Sequence, residues 1–122
     1  MRDFYEALAK NDLGRIRDHL LADDAVFHVP GGGSLSGDYR GKEQVIGYLE
    51  RFAGPAESLT RFEPEEFLTG ERHVAVLLRV QGERGGRRLD ERGLHVFRVE
   101  DGKITERLSY PQDPRGVDEF FA

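Results

Sequence analysis

The chain has 122 residues, a net charge of −5 and no cysteine. That length suits one domain with a core of its own, and the missing cysteines exclude disulfides, thiolate zinc sites and a cysteine nucleophile. Acids and bases are interspersed, which argues against nucleic acid or an anionic membrane surface as a partner.

The opening residues, Met1-Arg2-Asp3-Phe4-Tyr5-Glu6, lack the apolar stretch of a signal peptide, so a cytoplasmic location is expected. Arginine far outnumbers lysine, which suggests a bacterial source with a GC-rich genome. Phe4 to Leu21 has helical spacing through Tyr5, Leu8, Leu13, Ile16 and Leu20. Asn11-Asp12 interrupts it, and Asp12 is placed to cap a second short helix. Ala25 to Val29 reads as a strand, stopped by Pro30 and Gly31-Gly32-Gly33. Gly31 to Gly41 reads as a long loop rich in glycine and serine, of the kind that borders a pocket. Lys42 to Phe52 is an amphipathic helix ending at Gly54-Pro55.

Strands follow over Leu59–Leu68, His73–Arg84, Arg87–Val99 and Ile104–Tyr110. The last is closed by Pro111, and Val117 to Phe121 reads as a terminal helical turn. Helices followed by a strand meander predict an α+β fold, a curved antiparallel sheet with its helices on one face. The run Val74-Ala75-Val76-Leu77-Leu78 is apolar on both strand faces and needs cover on both. The helices supply one cover and a second copy of the sheet the other, so a homodimer is expected.

Leu94 to Glu106 is the most informative stretch. Asp101-Gly102 marks a tight hairpin, and His95 stands in phase with Phe97 and Val99. A histidine on that face is either a satisfied core residue or the polar group of a pocket. His28 and Val29 point to opposite faces, so if Val29 faces a cavity His28 does not. His19 and His73 read as surface residues. No histidines stand at metal-ligand spacing, so no metal is expected. Gly31-Gly32-Gly33 lacks the Gly-Lys-Ser/Thr of a phosphate loop, and no cofactor motif is present. Tyr39 and Tyr48 suit a pocket rim and wall, although packing explains Tyr48 equally well. Asp113 precedes Pro114 and either reaches the pocket mouth or, more simply, caps the terminal helix.

Asp12-Leu13, Asp23-Asp24-Ala25-Val26-Phe27, Gly37-Asp38-Tyr39-Arg40-Gly41, His95-Val96-Phe97-Arg98 and Asp101-Gly102-Lys103-Ile104, in this order, resemble the NTF2-like superfamily. Within it the chain is most similar to the SnoaL-like polyketide cyclases and ketosteroid-isomerase-like proteins. The resemblance spans essentially the whole chain, as a single domain over 1–122. It implies a cone-shaped α+β barrel with a deep apolar pocket and often a dimer through the sheet. It also implies proton transfer on a small hydrophobic carbonyl compound. The isomerase base would fall on Val29, the oxyanion tyrosine on Phe4 beside Tyr5, and the assisting aspartate on His95. The cyclase pair, a histidine and an aspartate, would fall on His95 and Ser109.

The reading is thus a pocket protein for a small hydrophobic molecule, an isomerase, cyclase or hydrolase with His95 as its central polar group. Asp113 is the second catalytic candidate, and Tyr5, Val29, Tyr39, Tyr48, Phe97 and Ser109 are the ligand-binding ones. The alternative is a non-catalytic ligand-binding or protein-interaction module on the same cone.

Overall fold

A computed structural model describes residues 1–33, 35–51 and 58–120. It opens with α1 (Arg2–Ala9) and α2 (Leu13–Arg15), the latter running into a π-helical turn over Ile16–Leu20. The carboxylate of Asp12 accepts from Arg15 N at 3.2 Å, capping α2 as its residue type predicts.

β1 (Leu21–Val29) starts four residues earlier than alternation suggests. Its pairing jumps from Leu21↔Ile104 to Val26↔Glu106, so a bulge around Asp23-Asp24 masks the period of two. The expected Gly31–Gly41 loop is also shorter than predicted, because Gly37–Arg40 forms β2, an edge strand antiparallel to β1. α3 (Lys42–Glu50) follows, and the Gln44 side chain reaches back to accept from Arg40 N at 2.9 Å. Phe52, Gly54-Pro55 and Phe121 lie outside the described residues.

Four long strands complete the sheet: β3 (Ser58–Thr69), β4 (His73–Arg84), β5 (Arg87–Glu100) and β6 (Lys103–Pro111). The order is β2-β1-β6-β5-β4-β3, antiparallel except for the β1–β6 pair. Pro64 is tolerated because β3 is an edge strand and is bulged between Pro64 and Glu66. At the β5–β6 corner Asp101 and Gly102 both have positive φ, 52° and 76°, as the tight hairpin requires. α4 (Pro114–Phe120) closes the chain and buries Phe120.

The concave face and the helices enclose the core. Phe4 from α1, Phe27 from β1 and Phe97 from β5 are almost fully buried, with Phe4 5.4 Å from Phe97 and 6.2 Å from Phe27 between ring centroids. Each such ring stabilises the fold by about 1.5–3 kcal/mol through burial. Val76 and Leu78 point into this core while Leu77 points out, so the apolar run on β4 does have two apolar faces. Among the described residues no helix is long and apolar enough to cross a membrane.

Candidate functional site

Two-residue alternation along β5 directs Leu89, Glu91, His95 and Phe97 toward the concave face. β6 presents Ser109 opposite His95, and Arg107 opposite Phe97. His95 is 5% exposed, and its Nδ1 lies 2.7 Å from the Tyr5 hydroxyl of α1. The two rings are nearly parallel, 10° apart, and Phe62 and Phe97 flank the imidazole.

Burial drives the His95 pKa well below 6.5, and the Arg107 guanidinium lowers it further. Burial pushes the Tyr5 phenol well above its ordinary value, with Arg107 pulling weakly the other way. Both groups are therefore neutral at physiological pH. The bond between them has two forms. Tyr5 donates to Nδ1 and the ring proton sits on Nε2, or Nδ1–H donates to the phenol oxygen and Nε2 is a bare acceptor.

His95 lines a cavity walled by Val29, Tyr48, Phe62, Leu78 and Ser109, with about 60 Å³ open to the centre of a water molecule. That is room for several waters or one small organic molecule. Glu91, Pro114 and Val117 also line it, and Glu91 borders an open groove beside α4 as well, which puts this carboxylate at the mouth. Burial raises the Glu91 pKa; Asp113 N, donating to it at 3.3 Å, works against this, and the Asp113 charge adds to the rise. Four residues of strand separate Glu91 from His95, roughly 13 Å between Cα atoms, too far for a direct hydrogen bond.

The sequence candidates separate into layers. Val29, Tyr48, His95 and Ser109 line the cavity. Tyr5 stands behind His95 and holds it. Phe97, expected to touch ligand, is instead packed into the core against Phe4 and Tyr5, because its strand position lies one pair deeper. Tyr39 stands behind Tyr48, its ring 4.6 Å away and its hydroxyl donating to Leu35 O. Asp113 lines the open groove beside α4 and is not among the residues lining the cavity; its exposed carboxylate accepts from Gly116 N at 3.1 Å, the capping arrangement. His28 faces the other side of the sheet, held by Asp38 at 2.7 Å and Glu106 at 3.0 Å. Among the described residues no cluster of histidine, aspartate and glutamate could hold a metal ion.

Sequence reasoning passed over Glu91 and Arg107. Arg107 is 2% exposed, stacked over Phe27 at 4.5 Å and near Tyr48 at 5.4 Å, and donates to the Tyr48 hydroxyl at 3.3 Å. The signal was available. Arg107 is two residues before Ser109, and Glu91 four before His95, so both share the phase of the candidate residues.

This architecture matches a known family model, the SnoaL-like domain, over residues 1–107. The chain belongs to that family. Among its relatives is the uncharacterised protein Rv0034 of Mycobacterium tuberculosis, 28% identical over all of this chain and 93% of its own length. The NTF2-like fold expected from the motifs is also found in solved structures. Bal32a, from a soil-derived mobile gene cassette, superposes with a TM-score of 0.93 at 26% identity, over 99% of this chain and 92% of its own. An NTF2-like protein of unknown function from Burkholderia pseudomallei gives 0.85 at 25%, over 99% and 93%. The fold alone is shared with an LEH-like epoxide hydrolase of M. tuberculosis, 21% identical.

Proposed function

We propose that this SnoaL-like domain binds a small, largely apolar carbonyl compound and moves a proton on it, as an isomerase, cyclase or hydrolase with His95 as the central polar group. The observation that carries this reading is a neutral, buried His95, fixed by Tyr5 at 2.7 Å, on the wall of a mostly apolar cavity. In the tautomer with the proton on Nε2, His95 donates to the ligand oxygen and stabilises charge developing there. Protonating it fully is disfavoured by burial and by Arg107, so it is a better donor than base. Glu91, whose carboxyl pKa is raised at the mouth, is the carboxylate among the described lining residues, and at its distance from His95 it would take up the proton by way of water in the cavity. Val29, Tyr48 and Ser109 would form the binding walls, with Tyr5 positioning His95 and Tyr39 and Phe97 supporting from behind.

One observation favours the second reading, a binding module without catalysis: among the described residues, His95 has no carboxylate partner within hydrogen-bond distance. Solvent exchange separates the two. With 1-indanone in D2O, wild-type protein is expected to accelerate α-deuteration and His95→Leu to lose that acceleration. Saturation-transfer binding without acceleration favours the module, and no binding overturns the pocket reading.

We also infer self-association through the convex face. Leu68, Leu77 and Tyr110 are 49%, 39% and 51% exposed there, and Leu94, Val96 and Leu108 lie between them on the same face. Large apolar side chains gathered on one sheet face fit a second copy of the same face. Light scattering should give a dimer mass that Leu77→Glu halves, and a monomer for the wild type refutes the inference.

A further inference from the structure

Arg107 is the one charged side chain buried to this degree among the described residues. No carboxylate among those residues lies within ion-pair distance of it. Its Nε has no acceptor among the described residues, and its hydrogen bond to the Tyr48 hydroxyl is long, 3.3 Å. The aromatic faces of Phe27 and Tyr48 offset part of the burial cost, yet they leave most of the five guanidinium N–H donors unused. Among the described residues its surroundings hold no negative charge. Tyr5 and His95 are neutral, Ser109 is uncharged, and Glu91 sits at the far end of the cavity. Asp38 and Glu106 face the opposite side of the sheet, where they hold His28. Arg107 does not itself line the cavity; it lies behind Tyr48, close enough for its charge to act on His95 in the wall, so one positive charge stands just beyond the lining.

Buried charges in folded proteins are paired or solvated because an isolated one is costly. No described residue supplies that partner, and the cavity lies on the other side of Tyr48. Tyr48 connects the two: its hydroxyl accepts from Arg107, and the residue lines the cavity. Ser109 and His95 offer further polar atoms on the same wall. We propose that the physiological ligand is an organic carboxylate, an apolar ring or short chain whose carboxylate head lies at the inner end and compensates Arg107. This rests on the cavity being a ligand site, as proposed above, and narrows the ligand class to anions. A carboxylate beside the carbonyl also suits the proton transfer assigned to this site, because Arg107 would stabilise an enolate formed there.

The test uses matched probes, benzoate and benzamide, which share shape and differ in charge. Binding to purified wild-type protein is read by calorimetry at pH 7.5 and low salt. Benzoate is expected to bind at least about tenfold more tightly than benzamide, as a charge-assisted contact in a desolvated site implies. Arg107→Met, whose aliphatic stem keeps the packing, should erase that preference, the loss falling more heavily on benzoate than on benzamide. Equal affinity of the two probes for the wild type overturns the proposal and leaves the pocket reading standing. This comparison needs no variant, so it holds even if Arg107→Met fails to fold. A benzoate preference that persists in a folded Arg107→Met also overturns it. Failure of both probes to bind the wild type overturns the pocket reading and this proposal together.

Discussion

Tyr5→Phe removes a single oxygen from the core and isolates the contact on which the site depends. The ring keeps its neighbours, with Phe4 at 5.2 Å, Phe97 at 6.0 Å and Phe67 at 6.3 Å between centroids. What changes is His95 Nδ1, which loses its partner at 2.7 Å while remaining buried. Leaving a buried polar atom unpaired costs about 1–3 kcal/mol, a fall in Tm of roughly 4–12 °C for a domain of this size. His95→Leu strands the Tyr5 hydroxyl in the same way and should cost a similar amount. In the double variant neither orphan exists, so its cost should fall short of the sum by about 1–2 kcal/mol. Urea unfolding followed by far-ultraviolet circular dichroism measures all four proteins. If both single variants lie within about 0.5 kcal/mol of wild type and the effects simply add, the pair is not a buried hydrogen bond and the argument for His95 collapses.

The two inner-strand histidines should tilt the pH profile of stability in opposite directions. The folded state depresses the His95 pKa, so its contribution is complete above about pH 6.5 and is lost as pH falls, because only the unfolded chain takes up the proton. His28 is raised, chiefly by its bond to Asp38 and also by Glu106, so its contribution is complete below about pH 6.5 and is lost as pH rises through the folded value. Urea midpoints between about pH 5 and 9 should lose their acid-side slope in His95→Leu and their alkaline-side slope in His28→Gln; unchanged slopes refute the assignments. Gly102→Val forces a β-branched residue to φ 76° and should cost about 1–2 kcal/mol or more by thermal melting. Asp12→Ala removes the cap on Arg15 N and should cost about 0.5–2 kcal/mol in the same assay.

Legibility in the sequence followed the strength of local period and turn chemistry. Asp101-Gly102 and Gly85-Gly86 have positive φ at both corners, so the hairpins around β5 could be placed to within a residue or two. β1 was half visible because its bulge breaks alternation at Asp23-Asp24, and β2 was hidden because a four-residue edge strand buries almost nothing. The π turn at Ile16–Leu20 has no composition signal that separates it from an α-helix. At the site, strand parity placed His95 on the inner face and the family resemblance pointed to Ser109 beside it, while Arg107 was missed because arginine on a strand usually faces water. Phe97 and Tyr39 show the limit of parity. It gives the face of a residue but not the layer behind that face.

Arg107 also bears on what Val29 and Ser109, the positions where the family resemblance led a base to be expected, can hold. A carboxylate works as a base near neutral pH when burial destabilises its charged form. Beside a buried guanidinium the same burial acts in reverse, because attraction to the cation grows as the dielectric falls. Ser109 and Arg107 share a face two residues apart, roughly 6.5–7 Å along the strand, so a carboxylate replacing the Ser109 hydroxyl is within reach of an ion pair. Ser109→Asp should therefore carry a carboxyl pKa below the usual range, visible in the pH titration of its side-chain carbon resonance. It should also abolish benzoate binding by supplying the negative charge from within, while benzamide still enters. A raised pKa for the introduced carboxyl group would mean that Arg107 does not govern the field in this cavity.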